Sequence, residues 1–177
     1  MSIVSVGLFW NAGNAEVWGM GMESIYRKEK RKKTKVTFKQ IEYFLRKVDK
    51  TFPIPLSDKT DLSGYALKLE KYATICAVRD DNGKILSMCA GYTDRMIDEM
   101  GYITLVATLQ EVQRHHYGKK LIKEFLEIAG KRSLRAVHVY TARTNRPAME
   151  MYEAFGFQRW FPDNETRSED MHFIYRF

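Results

Sequence analysis

The 177-residue chain is poor in cysteine, with two, in proline, with four, and in histidine, also with four. Two cysteines cannot staple a disulfide scaffold. Asn82-Gly83 between two apolar runs signals a tight hairpin, and a two-residue loop there sets Cys76 directly opposite Cys89. A three-residue loop would break that register. The pair reads as two small buried apolar residues in a reducing compartment. No stretch approaches the roughly 20 apolar residues of a membrane span. Ile3 to Trp10 is apolar but short, with no charged segment before it and no small-residue cleavage site after it. The expected location is therefore cytoplasmic. No Gly-x-Ser-x-Gly occurs, which disfavours a Ser-His-Asp hydrolase. His115 and His116 are adjacent, so they point different ways, and no His-x-x-x-His spacing exists; no metal site is expected. Internal repeats and low-complexity segments are absent as well.

What is present suits one domain with a real core. The chain is 45% hydrophobic and 13% aromatic, which excludes disorder as its main state. Its net charge of +7 suits an anionic partner: a nucleotide, a CoA, a nucleic acid or an acidic surface. Positive charge is densest from Arg27 to Lys35, with seven basic residues in nine positions. Without interleaved aromatics beyond Tyr26, that run reads first as a solvated hairpin or loop rather than a nucleic-acid surface or an aid to the phosphates of a CoA. Met1 to Gly21 has no assignable role.

Ile25-Tyr26 is a candidate first strand. Thr37 and Gln40 form a capping-box pattern that opens a helix, with Ile41, Phe44, Leu45 and Val48 on one face and Val36 placed to staple it. The prolines of Thr51-Phe-Pro-Ile-Pro-Leu-Ser57 stop that helix. Leu62, Tyr65, Ala66 and Leu69 share a face of the next. Ala73 to Arg79 and Ile85 to Tyr92 read as hairpin strands. Tyr102 to Leu109 is apolar and β-branched, as a buried strand should be. A polar loop follows, Gln113-Arg-His-His-Tyr-Gly118, and then a helix with Leu121, Ile122, Phe125, Leu126 and Ala129 on one face. Strand, polar loop and helix N-terminus together suit a phosphate or pyrophosphate, with Arg114, Lys119 and Lys120 adding charge. Ala136 to Thr141 is a further buried strand. Asn145 is a plausible N-cap with Pro147 in the first turn, and Gly156 suits the helix end. Gln158 to Trp160 and Met171 to Phe177 are the last strands. The loop between them carries four acidic residues. The pattern predicts an α/β (α+β) domain: a mixed, mostly antiparallel central sheet with helices on both faces.

Two motifs carry a resemblance. Gln113-Arg-His-His116-Tyr-Gly118 is similar to the Gln/Arg-x-x-Gly-x-Gly/Ala pyrophosphate loop of the GNAT (GCN5-related) N-acetyltransferases. The block Asn-x-x-Ala-x-x-x-Tyr-x-x-x-Gly-Phe of that family is filled by Asn145, Ala148, Tyr152, Gly156 and Phe157. The likeness runs from about Ile25 to the C-terminus, so residues 1–21 are expected to be an extension and 22–177 a single acetyltransferase domain. One departure stands out: His116 occupies the first loop glycine, where a Cβ would crowd the pyrophosphate or require a backbone shift.

The resemblance implies acetyl-CoA as cosubstrate and direct transfer of its acetyl group to a primary amine of a small molecule in a ternary complex. By position, Val106, Ala107 and Thr108 would face the pantetheine arm. Gln113, Arg114, His115, His116, Tyr117, Gly118 and Lys119 would cradle the pyrophosphate, and Asn145 would contact the cofactor from the other side. Tyr152 would be the catalytic acid that protonates the departing thiolate. Glu99, Asp98, Glu111 and His138 are candidate bases by rough location, with a water chain as the alternative. A Phe-Pro-x-Pro-Leu-Ser-like loop in similar chains suggests an amino sugar as acceptor; Phe52, Ile54 and Leu56 would either line its site or belong to a plain connector between helices. The competing reading is a CoA- or nucleic-acid-binding module without catalysis. Nucleic acid is the less favoured partner, and a homodimer is left open.

Overall fold

The computed structural model describes residues 35–94, 99–163, 165, 167 and 169–177. The expected extension, the strand at Ile25-Tyr26 and the basic run up to Thr34 lie outside them, as does Asp98. Helix α1 spans Phe38–Val48, followed by a 3-10 turn at Asp49–Thr51, a short α2 at Leu56–Lys59 and α3 at Leu62–Tyr72. The remaining elements are β1 Thr74–Arg79, β2 Ile85–Tyr92, β3 Met100–Thr108, α4 Tyr117–Lys131, β4 Ala136–Ala142, α5 Arg146–Ala154, β5 Gln158–Arg159 and β6 Asp170–Arg176.

The helices begin where their caps dictate. Gln40 Oε1 accepts from the Thr37 N–H at 2.9 Å, closing one side of the capping box. Asp61 caps α3 through the Gly64 N–H at 2.6 Å. Asn145 Oδ1 accepts from the Ala148 N–H at 3.3 Å, with Pro147 in the first turn of α5. Gly156 ends that helix at φ 88°. All four core-facing residues of α1 and all four of α3 named from the sequence are buried.

The six strands form one sheet in the order β1-β2-β3-β4-β6-β5, and every neighbouring pair is antiparallel except β3 with β4. This is the mixed, mostly antiparallel sheet that the pattern predicts. Helices cover both faces. On one side α4 and α5 pack Leu121, Ile122, Phe125, Ala148 and Met151 onto Ile103, Val106, Val137 and Val139. On the other, α1 to α3 pack Ile41, Phe44, Leu45 and Leu69 onto Met88, Ala90, Leu105 and Ala107.

Cys76 does face Cys89, though by a different route from the one the sequence suggests. The Asp80 N–H reaches Lys84 O, so the connecting loop holds three residues, Asp81 to Gly83, with Gly83 at φ 80°. A register shift between Val78 and Arg79 leaves Leu86 as an extra residue on β2, and the two offsets cancel.

A second irregularity matters more. Ala90 pairs with Leu105 and Gly91 with Ile103, so Thr104 is an extra residue on β3. This bulge puts Ile103 and Val106 on the same face of the sheet although they are three apart, and it bends the strand. Pairing with β4 covers only Met100 to Ile103 and stops there, while pairing with β2 continues to Thr108. Beyond Ile103, β3 and β4 part.

Gly91 allows the bulge to close. A Cβ on it would fall on the Tyr102 carbonyl oxygen and the Phe125 ring, well inside van der Waals contact. Gly91→Ala should therefore destabilise the fold by about 2–3 kcal/mol or more, read as a lower urea midpoint with an unchanged slope.

Candidate active site

Three structures converge at the C-terminal ends of the parallel strands β3 and β4: the gap between them, the loop that feeds α4, and the cap of α5. Val106, Ala107 and Thr108 lie on the part of β3 that has lost β4. The Thr108 hydroxyl is engaged on the opposite side, 2.8 Å from Ser87 Oγ on β2.

Past a 3-10 turn at Gln110–Val112, Gln113 is extended, Arg114 is left-handed at φ 73°, and His116 is left-handed at φ 56° and ψ 19°. His116 thus adopts the backbone conformation that glycine takes most cheaply, and histidine is among the residues that tolerate it. The departure from the family pattern is one of residue type, not of backbone shape. Alternating hands turn successive amides toward one concavity, which suits an anion. His116 provides no side-chain cap to α4, and the first turn carries no acidic residue. No carboxylate of its own first turn therefore opposes the positive end of the helix. His115 Nδ1 lies 3.1 Å from Val112 O, and its ring stacks on Tyr117 at 5.5 Å between centroids. Gly118 is buried, and a Cβ there would meet Thr108 and Val106 at 3.8 Å, ordinary contact, so the glycine-or-alanine choice in the loop pattern has a steric basis. Lys120, two residues on, has its ammonium pKa lowered by partial burial.

Tyr152 lies on α5 between Phe157 and Phe173, with ring centroids at 5.4 and 5.8 Å. It is fully buried, and burial raises its hydroxyl pKa well above the ordinary 10, with Cys89 and Tyr102 adding to the effect. Among the described residues the hydroxyls of Tyr152, Tyr102 on β3 and Thr141 on β4 are buried without a hydrogen-bond partner. Each orphaned group costs about 1–3 kcal/mol. They come from the two parted strands and from the helix that follows β4.

The residues matched by the description "Acetyltransferase (GNAT) family" are 40–157, two-thirds of the chain. The protein belongs to the GNAT acetyltransferase family. Among solved structures, it is similar to a GNAT-family acetyltransferase from Staphylococcus aureus (13% identity, TM-score 0.64, covering 78% of this chain and 92% of that one). It is also similar to the PaiA N-acetyltransferase of Thermoplasma acidophilum in complex with coenzyme A (11%, TM-score 0.59, 81% and 97%). A third is the ribosomal-protein-S18-alanine N-acetyltransferase of Escherichia coli (13%, TM-score 0.58, 77% and 84%). At these identities the likeness is one of fold. No curated protein sequence matches.

Of the two readings of the Thr51 to Ser57 loop, burial favours the connector. Phe52 and Leu56 are buried in the core beneath α1 and α3, so of the three residues expected to line an acceptor only Ile54 is exposed. The candidate bases also separate. Glu111 is an exposed carboxylate paired with Lys84 at 3.1 Å. Glu99 is a left-handed residue at the entry of β3, φ 53°, whose carbonyl accepts from Arg135 N–H.

His138 stands on β4 opposite Tyr102, with ring centroids 4.8 Å apart, beside the last rungs before the strands part. Its Nδ1 lies 2.9 Å from His172 Nε2, and His172 Nδ1 lies 2.7 Å from Glu165 Oε2. Tyr140 and Trp160 complete this cluster, their rings 3.8 and 4.6 Å from His172. Neither His172 nor Glu165 was marked out by the sequence. Only the rarity of histidine in the chain hinted at them.

His116 and His138 yield one expectation each. A β-branched residue is a true outlier at positive φ. His116→Val should lower stability by about 1–2 kcal/mol and weaken acetyl-CoA binding in calorimetry, whereas His116→Gly should keep or tighten it. Burial, and then the neighbouring His172, lower His138 to about 4 from the ordinary 6.5. A folded pKa below the unfolded one means the unfolded chain binds more protons in that window. The stability is fully present above pH 6.5 and is lost toward pH 4, by at most about 3 kcal/mol for this residue. The melting temperature should fall over that window, and less steeply in His138→Gln.

Proposed function

We propose that this protein transfers the acetyl group of acetyl-CoA to a primary amine by direct attack within a ternary complex. The observation that carries the reading is the parting of β3 and β4 after Ile103 at the same end as the left-handed loop of α4. An extended pantetheine arm alongside Val106, Ala107 and Thr108 would complete the abandoned backbone edge of β3 as a further strand does. The amides from Gln113 to Lys119 would take the pyrophosphate at the end of α4, and Asn145 would meet the cofactor from the α5 side. The coenzyme A complex of the Thermoplasma neighbour supports an acyl-CoA here.

Tyr152 is the group we assign as acid. A buried phenol with a raised pKa keeps its proton at neutral pH. It can give that proton to a thiolate leaving beside it, and its orphaned hydroxyl would gain a partner in doing so. The acceptor is read as a primary amine. An amino sugar is one candidate, although the Phe52 to Leu56 loop that suggested it offers only Ile54. A protein N-terminus is another, as the name of the Escherichia coli neighbour suggests.

Acetyl-CoA at 100 times its dissociation constant should stabilise the protein by about 2.7 kcal/mol, a shift of several degrees that ATP does not give. An amine panel of glucosamine, 1,4-diaminobutane and a peptide with a free N-terminal alanine would then locate the acceptor. Tyr152→Phe should keep the thermal shift and lose about 100-fold in acetyl transfer. An undiminished rate in that variant would remove Tyr152 from the chemistry.

A further inference from the structure

The sheet face away from α4 and α5 carries a chain of three hydrogen-bonding groups that the acetyl-CoA reading does not use. Glu165 Oε1 accepts from the Tyr140 hydroxyl at 3.0 Å and from the Arg167 N–H at 2.9 Å. Glu165 Oε2 faces His172 Nδ1, and His172 Nε2 faces His138 Nδ1. The two histidines approach because β4 and β6 are antiparallel neighbours: Tyr140 is paired with His172, and His138 with Ile174. Their side chains therefore share a face and meet on the diagonal.

The direction of every hydrogen bond in this chain follows from its first member. A carboxylate only accepts, so His172 carries its proton on Nδ1. A neutral His172 then has a bare Nε2, which can only accept. His138 must donate to it from Nδ1, and this leaves His138 Nε2 with its lone pair exposed to the next partner. Free histidine has no comparable constraint. Burial pushes the Glu165 carboxyl up, but the hydrogen bonds from the Arg167 N–H, His172 and Tyr140 outweigh it and leave the group below its ordinary 4.5, so it stays ionised.

We propose that Glu165 and His172 are positioning residues that fix His138 as the Nδ1–H tautomer, so that its Nε2 is the general base for the acceptor amine. This rests on the acetyltransfer reading and deepens it. Nε2 takes one proton from the ammonium group. The freed amine forms the C–N bond and the C–S bond breaks. The thiolate takes the Tyr152 proton to become the free thiol, and the second proton of the attacking nitrogen, released as the amide forms, passes through water to the Tyr152 phenolate and restores it. His138 returns its proton to solvent. The charged and titratable groups facing the chain are Tyr102 from β3, Tyr140 from β4, Asp170 from β6, and Glu165 and Arg167 from the preceding loop, with Tyr65 of α3 behind Tyr102.

The chain makes an unusual prediction for Glu165→Gln. The amide oxygen stays with its two donors, Tyr140 and Arg167, which turns the NH2 toward His172 Nδ1. His172 must then carry its proton on Nε2, and His138 must accept at Nδ1 and hold its own proton on Nε2. The base is lost by inversion of the chain, without loss of volume. Glu165→Ala removes the same charge but enforces neither tautomer.

Histidine 15N spectra of the full chain should show Nδ1–H at both His138 and His172, reversing to Nε2–H at both in Glu165→Gln. An Nε2–H His138 in the unaltered protein would overturn the proposal whether or not an acceptor is in hand. With acetyl-CoA and the fastest amine of the panel, kcat/KM should fall about 100-fold in His138→Gln and Glu165→Gln. Glu165→Ala should lose less. In the two impaired variants log kcat/KM should rise with unit slope up to the pKa of the amine, where the unaltered enzyme levels off earlier. Equal losses in Glu165→Gln and Glu165→Ala, with an unmoved pH profile, would mean the cluster is structural. Absence of an acetyl-CoA thermal shift would count against the acetyltransfer reading itself, while the tautomer spectra would still stand.

Discussion

One extra residue, Thr104, separates this sheet from an ordinary one. The bulge it makes bends β3 away from β4 after four shared rungs, at Ile103. Several features depend on that bend. Gly91 must lack a Cβ so that β2 can follow the bend. The backbone edge of β3 from Thr104 to Thr108 is left without a strand partner on the β4 side. Tyr102 and Thr141 are left with buried hydroxyls that nothing in the described chain satisfies. A sheet that paired along its whole length would be the more stable object, because buried backbone groups are costly when unpaired. On the proposed reading, the opening is the price of a place for an extended ligand.

The two halves of the proposed chemistry use opposite faces of that opening. Tyr152 belongs to the core under α4 and α5, where burial holds its proton in place. His138 belongs to the other face, among Tyr102, Tyr140, Trp160 and His172. An acid kept protonated and a base kept neutral can then work at the same pH, because each is tuned by its own surroundings.

The sequence was readable where the information is local. Helix faces such as Ile41, Phe44, Leu45 and Val48, caps such as Asn145, and the motif around Tyr152 all depend on residues within a turn or two of one another. The hairpin shows how local reading can reach the right register through compensating errors: the loop is longer than Asn82-Gly83 implies, and the extra residue at Leu86 restores the Cys76–Cys89 pairing. Resemblance places Phe52 and Leu56 at an acceptor site, and they lie instead in the core under α1 and α3; the tertiary packing of an irregular loop has no period to report it. The Glu165–His172–His138 chain was illegible for another reason. It depends on the register of β4 against β6, which brings together two histidines 34 residues apart, and on a side chain from an irregular loop. No periodicity reports such a meeting.

The parting of the strands also decides what sets the width of the gap. Hydrogen-bond ladders fix strand spacing near 4.8 Å with little freedom, but above Ile103 no ladder spans β3 and β4. The separation there is held by α4, which lies across β1, β2, β3 and β4, through side chains such as Leu121, Ile122 and Phe125. Packed side chains yield by tenths of an ångström where a ladder would not. The calibre of the cleft is therefore a property of the hydrophobic core, and substitutions of one methylene far from any ligand can change which ligands the cleft admits.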